Sequence, residues 1–311
     1  MKESVLTIGK FDGVHAGHAY LLAQVASLAK ERGLEPAVMT FDPHPVCVIA
    51  PGHAPRPLIS LEERCAKIRE RGIERIFILP FTLEISRLSP EEFVSRYVRG
   101  EMRARVVMVG RDFRFGYKQA GDPGVLGALG GRYDFETRLV DAVKLRGLTV
   151  SASEIRRRIE AGEVSLAGRL LGRPYSIAGE VVAGQGIGSR QTVPTLNLQT
   201  SAEVLPRDGV YITRTRDLDG GGDWNSITNI GVRPTFDGHT RTIETFLLLE
   251  PGEMAGRGPA PRRICVEFLR RVREERKFEN AEALKAQILR DVARASAYFR
   301  RVARWVRPAL P

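Results

Sequence analysis

The chain has 311 residues, 43% of them hydrophobic and 27% charged, with a formal net charge of +11. That length supports two domains with separate cores. No apolar run approaches the ~20 residues that cross a bilayer, and MKESVLTIGKF lacks the apolar core of a signal peptide, so a cytoplasmic protein with no membrane partner is expected. Three scattered cysteines, Cys47, Cys65 and Cys265, form no CxxC pair and read as small apolar side chains rather than a disulfide framework or thiolate zinc site. The basic balance favours anionic partners, either nucleic acid or phosphorylated small molecules. The arginine-rich stretch at 271–287 reads instead as a solvated helix face.

In chain order, SVLTIG (4–9) reads as a buried strand, and HAYLLAQVASLAKERG as a helix with Leu21, Leu22, Val25 and Leu28 on one face and Gly33 past its end. PAVMTF (36–41) is a second strand. SPEEFVSRYV (89–98) opens a helix with Ser89 as N-cap, Pro90 first and Glu92 at the capping-box position. RVVMVG (105–110) is a third buried strand. The alternation predicts a doubly wound parallel sheet covered by helices. Near residue 174 the segments become short and β-branched, with turns such as DLDGGGDW (217–224), which predicts an antiparallel barrel or sandwich. A last helix covers about 279–305. The predicted domains are 1–172 and 173–311, and nothing in the sequence fixes an oligomeric state.

GKFDGVHAGH (9–18) follows the first strand, where open α/β sheets bind ligands. Glycines let the backbone turn closely round a ligand, and a helix N-terminus offers N–H groups to an anion. His15 and His18, three apart, can face that anion together. Two other readings stay open, local capping groups or, with His44, metal ligands. VSASEIR (150–156) sets Ser151 and Ser153 ahead of a helix, where hydroxyls and N–H groups hold phosphate with Arg156 one turn in; an ordinary N-cap with a surface arginine is the alternative.

These motifs have a family resemblance. GKFDGVHAGH resembles the HxGH signature of nucleotidyltransferases, as in bifunctional riboflavin kinase/FAD synthetases, with Lys10 where asparagine is usual. FDPHP (41–45), GRDFRFGYKQAGD (110–122), VSASEIRRRIEAGEV (150–164) and LLGRPYSIAGEVVAG (170–184) match the same family in order. The resemblance implies an FMN adenylyltransferase domain. In it Gly9, Phe11, Gly17, Ser151, Ser153 and Arg156 bind nucleotide or phosphate, Pro43, His44, Pro45, Asp112 and Phe113 bind flavin, and His15 and His18 are catalytic.

In the second half, GQGIGSRQTVPTLNL (184–198) fails as a dinucleotide fingerprint, because Pro194 and β-formers follow the glycines. It is similar to the PTxN element of riboflavin kinases. By that resemblance Thr195 contacts magnesium, Asn197 supports it, and Gly184, Gly186 and Gly188 belong to the ATP loop. Glu244, in the apolar strand TIETFLL, would be the base that takes the proton of the riboflavin 5′-hydroxyl. By alternation alone it could equally point to solvent. The loop 188–192 departs from the family's GRxxGxPT pattern.

The resemblance therefore implies two reactions, riboflavin to FMN and FMN to FAD, with ATP as co-substrate and Mg2+. Two other functions remain. One is an adenylyltransferase with an inactive barrel. The other is a basic nucleic-acid-binding protein, which the lack of a basic stretch interleaved with aromatics disfavours.

Overall fold

The computed structural model describes residues 2–182, 195–235, 238–249 and 261–305. The chain divides into two compact units, Met1–Glu154 and Ile155–Pro311.

In the first unit, β1 (Ser4–Ile8) is buried throughout and leads to α1 (Ala16–Arg32) and β2 (Glu35–Asp42). α1 starts on His15, whose Nδ1 accepts from the His18 N–H, and stops at Gly33, left-handed at φ 66°, whose N–H returns to Ala29 and Lys30 carbonyls. Lys30 and Arg32 in the last turn suit the negative end of the helix dipole. Next come α2 (Pro45–Ile49), α3 (Leu61–Arg69), β3 (Arg75–Pro80), α4 (Leu83–Ser86) and α5 (Pro90–Phe93), which continues as a π-helical segment, Val94–Glu101. The capping box of Ser89 and Glu92 forms as expected. β4 (Ala104–Gly110), α6 (Pro123–Tyr133), β5 (Glu136–Val140) and the short pair β6 (Lys144–Leu145) and β7 (Leu148–Thr149) complete the unit.

The five strands β1 to β5 form a parallel sheet in the order β3-β2-β1-β4-β5. The sequence reading missed both edge strands, β3 and β5, so RVVMVG is the fourth strand. Leu6, Ile8, Met39, Val107 and Val109 point to one face and pack with Phe93, Val98, Leu126 and Leu129. α1 lies on β1 and β2. Connections leave β1 toward β2 and β4 toward β5, so the carboxyl ends of β1 and β4 border the crevice where the winding reverses.

The second unit holds most of α7 (Ala152–Glu160), then α8 (Val164–Leu171), β8 (Tyr175–Val182), β9 (Thr195–Gln199), β10 (Gly209–Asp217), β11 (Asp223–Thr235), β12 (Gly238–Leu247), β13 (Arg263–Arg273) and α9 (Ala281–Trp305). Strands β8 to β13 close into a barrel in the order β10-β11-β12-β9-β8-β13, antiparallel throughout. The doubly wound sheet, barrel and final helix are those expected. The stretch 271–287 is not one helix, however. Arg271 and Arg273 end β13, and Arg273 Nε donates to Asp291 of α9 at 2.8 Å. That ion pair anchors α9 to the barrel.

Both faces of the barrel bury side chains, and the lumen mixes apolar residues such as Ile230, Ile243 and Phe268 with a cluster of hydroxyls. Val210, Ile212 and Ile227 lie outside, packed under Ala295, Val292, Tyr298 and Phe299 of α9. Inside, Thr215, Ser226, Thr213, Thr228 and Thr245 form a buried chain of hydroxyl contacts at 2.8–3.0 Å. Each hydroxyl there can donate and accept, so this polar cluster within the lumen is satisfied without charge.

Candidate functional site

The turn after β1 is built on unusual backbone. Phe11 (φ 50°), Gly13 (φ 75°) and Val14 (φ 37°) are all left-handed, a conformation that costs a non-glycine residue roughly 1–2 kcal/mol. Complete burial of Phe11 and Val14 contributes a comparable ~1.5–3 kcal/mol each, and Asp12 Oδ1 accepts from the Leu58 N–H at 2.9 Å. The twisted turn is thereby held in one shape. Gly9 lies under the Phe11 ring, where a Cβ would sit 3.2 Å from it.

His15 and His18 stack, with ring centroids 3.7 Å apart and planes at 14°, and the Phe11 ring closes on His18 at 4.9 Å. Because His15 Nδ1 accepts from the His18 N–H at 3.3 Å, the neutral form of its ring carries the proton on Nε2. His15 is thus the helix cap that the plainer reading foresaw, and its ring also stacks on His18. Burial lowers the His18 pKa well below the usual histidine value, assisted by the charges of His15 and Arg64. His18 Nδ1 is buried with no hydrogen-bond partner among the described residues.

Gly17 lets the next segment approach. A Cβ there would stand 3.2 Å from the His15 ring and 3.8 Å from the Val150 carbonyl. Ser151, half-buried, caps α7 by accepting from the Glu154 N–H at 3.3 Å. Ser153 does not precede the helix, as expected from the sequence; it sits in the first turn and is exposed. Arg156 is half-buried one turn in, past the division between the units.

The other predicted residues occupy neighbouring strand ends. Pro43 is exposed after β2, His44 caps α2 by accepting from the Val46 N–H at 3.2 Å, and Pro45 begins that helix. Asp112 is exposed and Phe113 half-buried just past β4, Phe113 stacking on Phe115 at 5.4 Å. Among the described residues no group of three or more His, Cys, Asp or Glu could hold a metal ion.

In the barrel unit, strand register does the positioning. Glu244 stands across from Asn197 on one side and Asn229 on the other, and Phe246 across from Thr195. Thr245 points into the lumen, so Glu244 belongs to the outer face with Asn197 and Asn229. It is half-buried there, with Oε1 shielded from solvent. Asn229 was missed by sequence reading, since only the β11–β12 register brings it beside Glu244. Gly184, Gly186, Gly188 and the 188–192 loop lie outside the described residues.

A switch-point crevice with a glycine turn and paired histidines, followed by a barrel carrying oxygen donors on one outer row, defines a two-domain nucleotide-transferring class. Residues 1–154 match the FAD synthetase family model and 171–299 the riboflavin kinase model. A bifunctional riboflavin kinase/FMN adenylyltransferase of Pseudomonas fluorescens is 38% identical over 94% of this chain and 92% of its own length. One from Escherichia coli K12 is 33% identical over 95% and 92%. The chain belongs to the bifunctional riboflavin kinase/FMN adenylyltransferase family. A crystal structure described as a macrolide-efflux protein from Streptococcus pneumoniae shares the fold, with TM-score 0.81 and 26% identity over 93% of this chain and 92% of that one. Among the described residues no helix is long and apolar enough to cross a membrane.

Proposed function

We propose that residues 173–311 phosphorylate riboflavin to FMN with ATP, and that residues 1–172 adenylylate FMN to FAD with release of pyrophosphate, in the cytoplasm. The stacked His15–His18 pair at the crevice of the parallel sheet carries this reading.

In adenylyl transfer an FMN phosphate oxygen attacks the α-phosphorus of ATP, a new P–O bond forms, and the bond to pyrophosphate breaks. His15 donates from Nε2 and His18 donates beside it as charge moves onto the phosphoryl oxygens. Ser151, Ser153 and Arg156 receive the departing pyrophosphate, while Gly9, Phe11 and Gly17 shape the turn round the nucleotide. Pro43, His44, Pro45, Asp112 and Phe113 border the flavin, Phe113 offering a ring face. No covalent enzyme intermediate is required, because positioning and charge stabilisation suffice.

In the kinase reaction Glu244 accepts the proton of the riboflavin 5′-hydroxyl as its oxygen attacks the γ-phosphorus and ADP leaves. Asn197 and Asn229 stand across from Glu244 on the neighbouring strands. Gly184, Gly186 and Gly188 are assigned to ATP by their motif. Thr195 is an oxygen donor with Asn197 two residues along the same strand, which suits Mg2+, an ion that takes few protein oxygens and shares substrate phosphates. When bound, Mg2+ neutralises phosphate charge.

Single substitutions separate the two reactions. His18→Ala is expected to abolish FAD synthesis from FMN and leave FMN formation nearly intact, and Glu244→Ala to do the reverse. Either variant losing both activities while folded contradicts the two-site assignment.

A further inference from the structure

Arg64 lies in LEERCAKIR, a charged run that reads as a solvent-facing helix, yet it is only 8% exposed. Its Nη1 donates to the Phe41 carbonyl at 3.2 Å and to Thr40 Oγ1 at 3.4 Å, and the Thr40 hydroxyl donates to the Lys10 carbonyl at 3.3 Å. One side chain of α3 therefore joins the end of β2, just ahead of FDPHP, to the turn that carries the histidines. Its Nε is buried with no hydrogen-bond partner, and no carboxylate pairs with it among the described residues. A guanidinium left this way is costly unless an anion compensates it.

We propose that Arg64 is a positioning residue for adenylyl transfer, tying the loops after β1 and β2 into one phosphate-accepting frame and supplying a buried positive charge beside His18. An arriving phosphoryl group completes the charge balance that the protein leaves open. This selects an anionic ligand at that crevice. The inference rests on the proposed adenylyltransferase site.

The charged groups acting on His18 are His15 of its own turn and Arg64 of α3. The Asp12 carboxylate of the same turn is engaged by the Leu58 N–H, Lys10 is exposed, and Val150 and Ser151, which lie just ahead of α7, do not titrate. Arg64 disfavours a proton on His18, so removing its charge raises the pH at which His18 binds one.

Arg64→Gln and Arg64→Lys test this in the full chain, with FMN formation from riboflavin as the control for folding. Two quantities are read: the rate of FMN conversion to FAD, and the His18 imidazole titration by NMR. Arg64→Gln is expected to slow FAD synthesis by about 100-fold, the scale of a misplaced reacting group, and to move the His18 titration to higher pH. Arg64→Lys is expected to return the titration to its wild-type position while FAD synthesis stays reduced, because a compact ammonium on a flexible stem does not reproduce the planar guanidinium whose Nη1 contacts both Thr40 and Phe41. A folded Arg64→Gln protein with an unmoved His18 titration overturns the proposal, as does an Arg64→Lys protein with the full wild-type FAD rate. Wild-type protein that makes no FAD would instead overturn the adenylyltransferase reading, and the titration would still judge the charge of Arg64.

Discussion

At the scale of single residues, the histidine pair owes its properties to its neighbours. Stacking two imidazoles at 3.7 Å makes a second positive charge expensive, and burial with the nearby Arg64 adds to that cost for His18. The consequence for stability has a definite sign. In the unfolded chain His18 takes up a proton near pH 6.5, whereas the folded protein resists it to lower pH. Its contribution is therefore complete above that value and is lost as pH falls toward the folded pKa, at up to about 1.4 kcal/mol per pH unit. Denaturant melts of the wild type between pH 7 and 5 are expected to show this loss, and His18→Gln to flatten it. An equally steep loss in the variant would assign the effect to other groups. Sequence revealed this pair through its spacing and its place after a strand. It could not reveal Arg64, because a charged run on a short helix does not tell which side chain turns inward, nor Asn229, whose neighbour is set by strand pairing.

Among the elements, those with strong end signals were legible. α1 has its apolar face and a glycine stop, and α5 has Ser89, Pro90 and Glu92. β3 was not, because RIFILP is short, ends in proline and forms a sheet edge. For Glu244, alternation marked a half-buried strand without naming the face, since both barrel faces bury side chains, one in the lumen and the other under α9. β9 depends on close approach to β8. A Cβ at Gly179 would lie 2.0 Å from the Gln199 carbonyl oxygen, and backbone cannot swing aside as a side chain does. Gly179→Ala is expected to cost roughly 3 kcal/mol, the upper range for overpacking, and to displace the strand bearing Thr195 and Asn197. Thermal unfolding should fall, and FMN formation should be lost while FMN is still converted to FAD. Retention of full kinase activity and melting temperature would refute that dependence of β9 on its glycine neighbour.

For the whole molecule, the +11 charge is consistent with a chain whose substrates are all anionic apart from riboflavin itself. The two family matches cover residues 1–154 and 171–299. The compact units separate between Glu154 and Ile155, within α7, a helix that continuous periodicity could not have shown to be a divide. One chain is expected to perform both steps. The direct measurement incubates the purified protein with riboflavin, ATP and Mg2+ and separates the flavins by chromatography at successive times. FMN rising first and FAD following is the expected result, whereas riboflavin unchanged alongside FMN unconverted in a parallel reaction would contradict it.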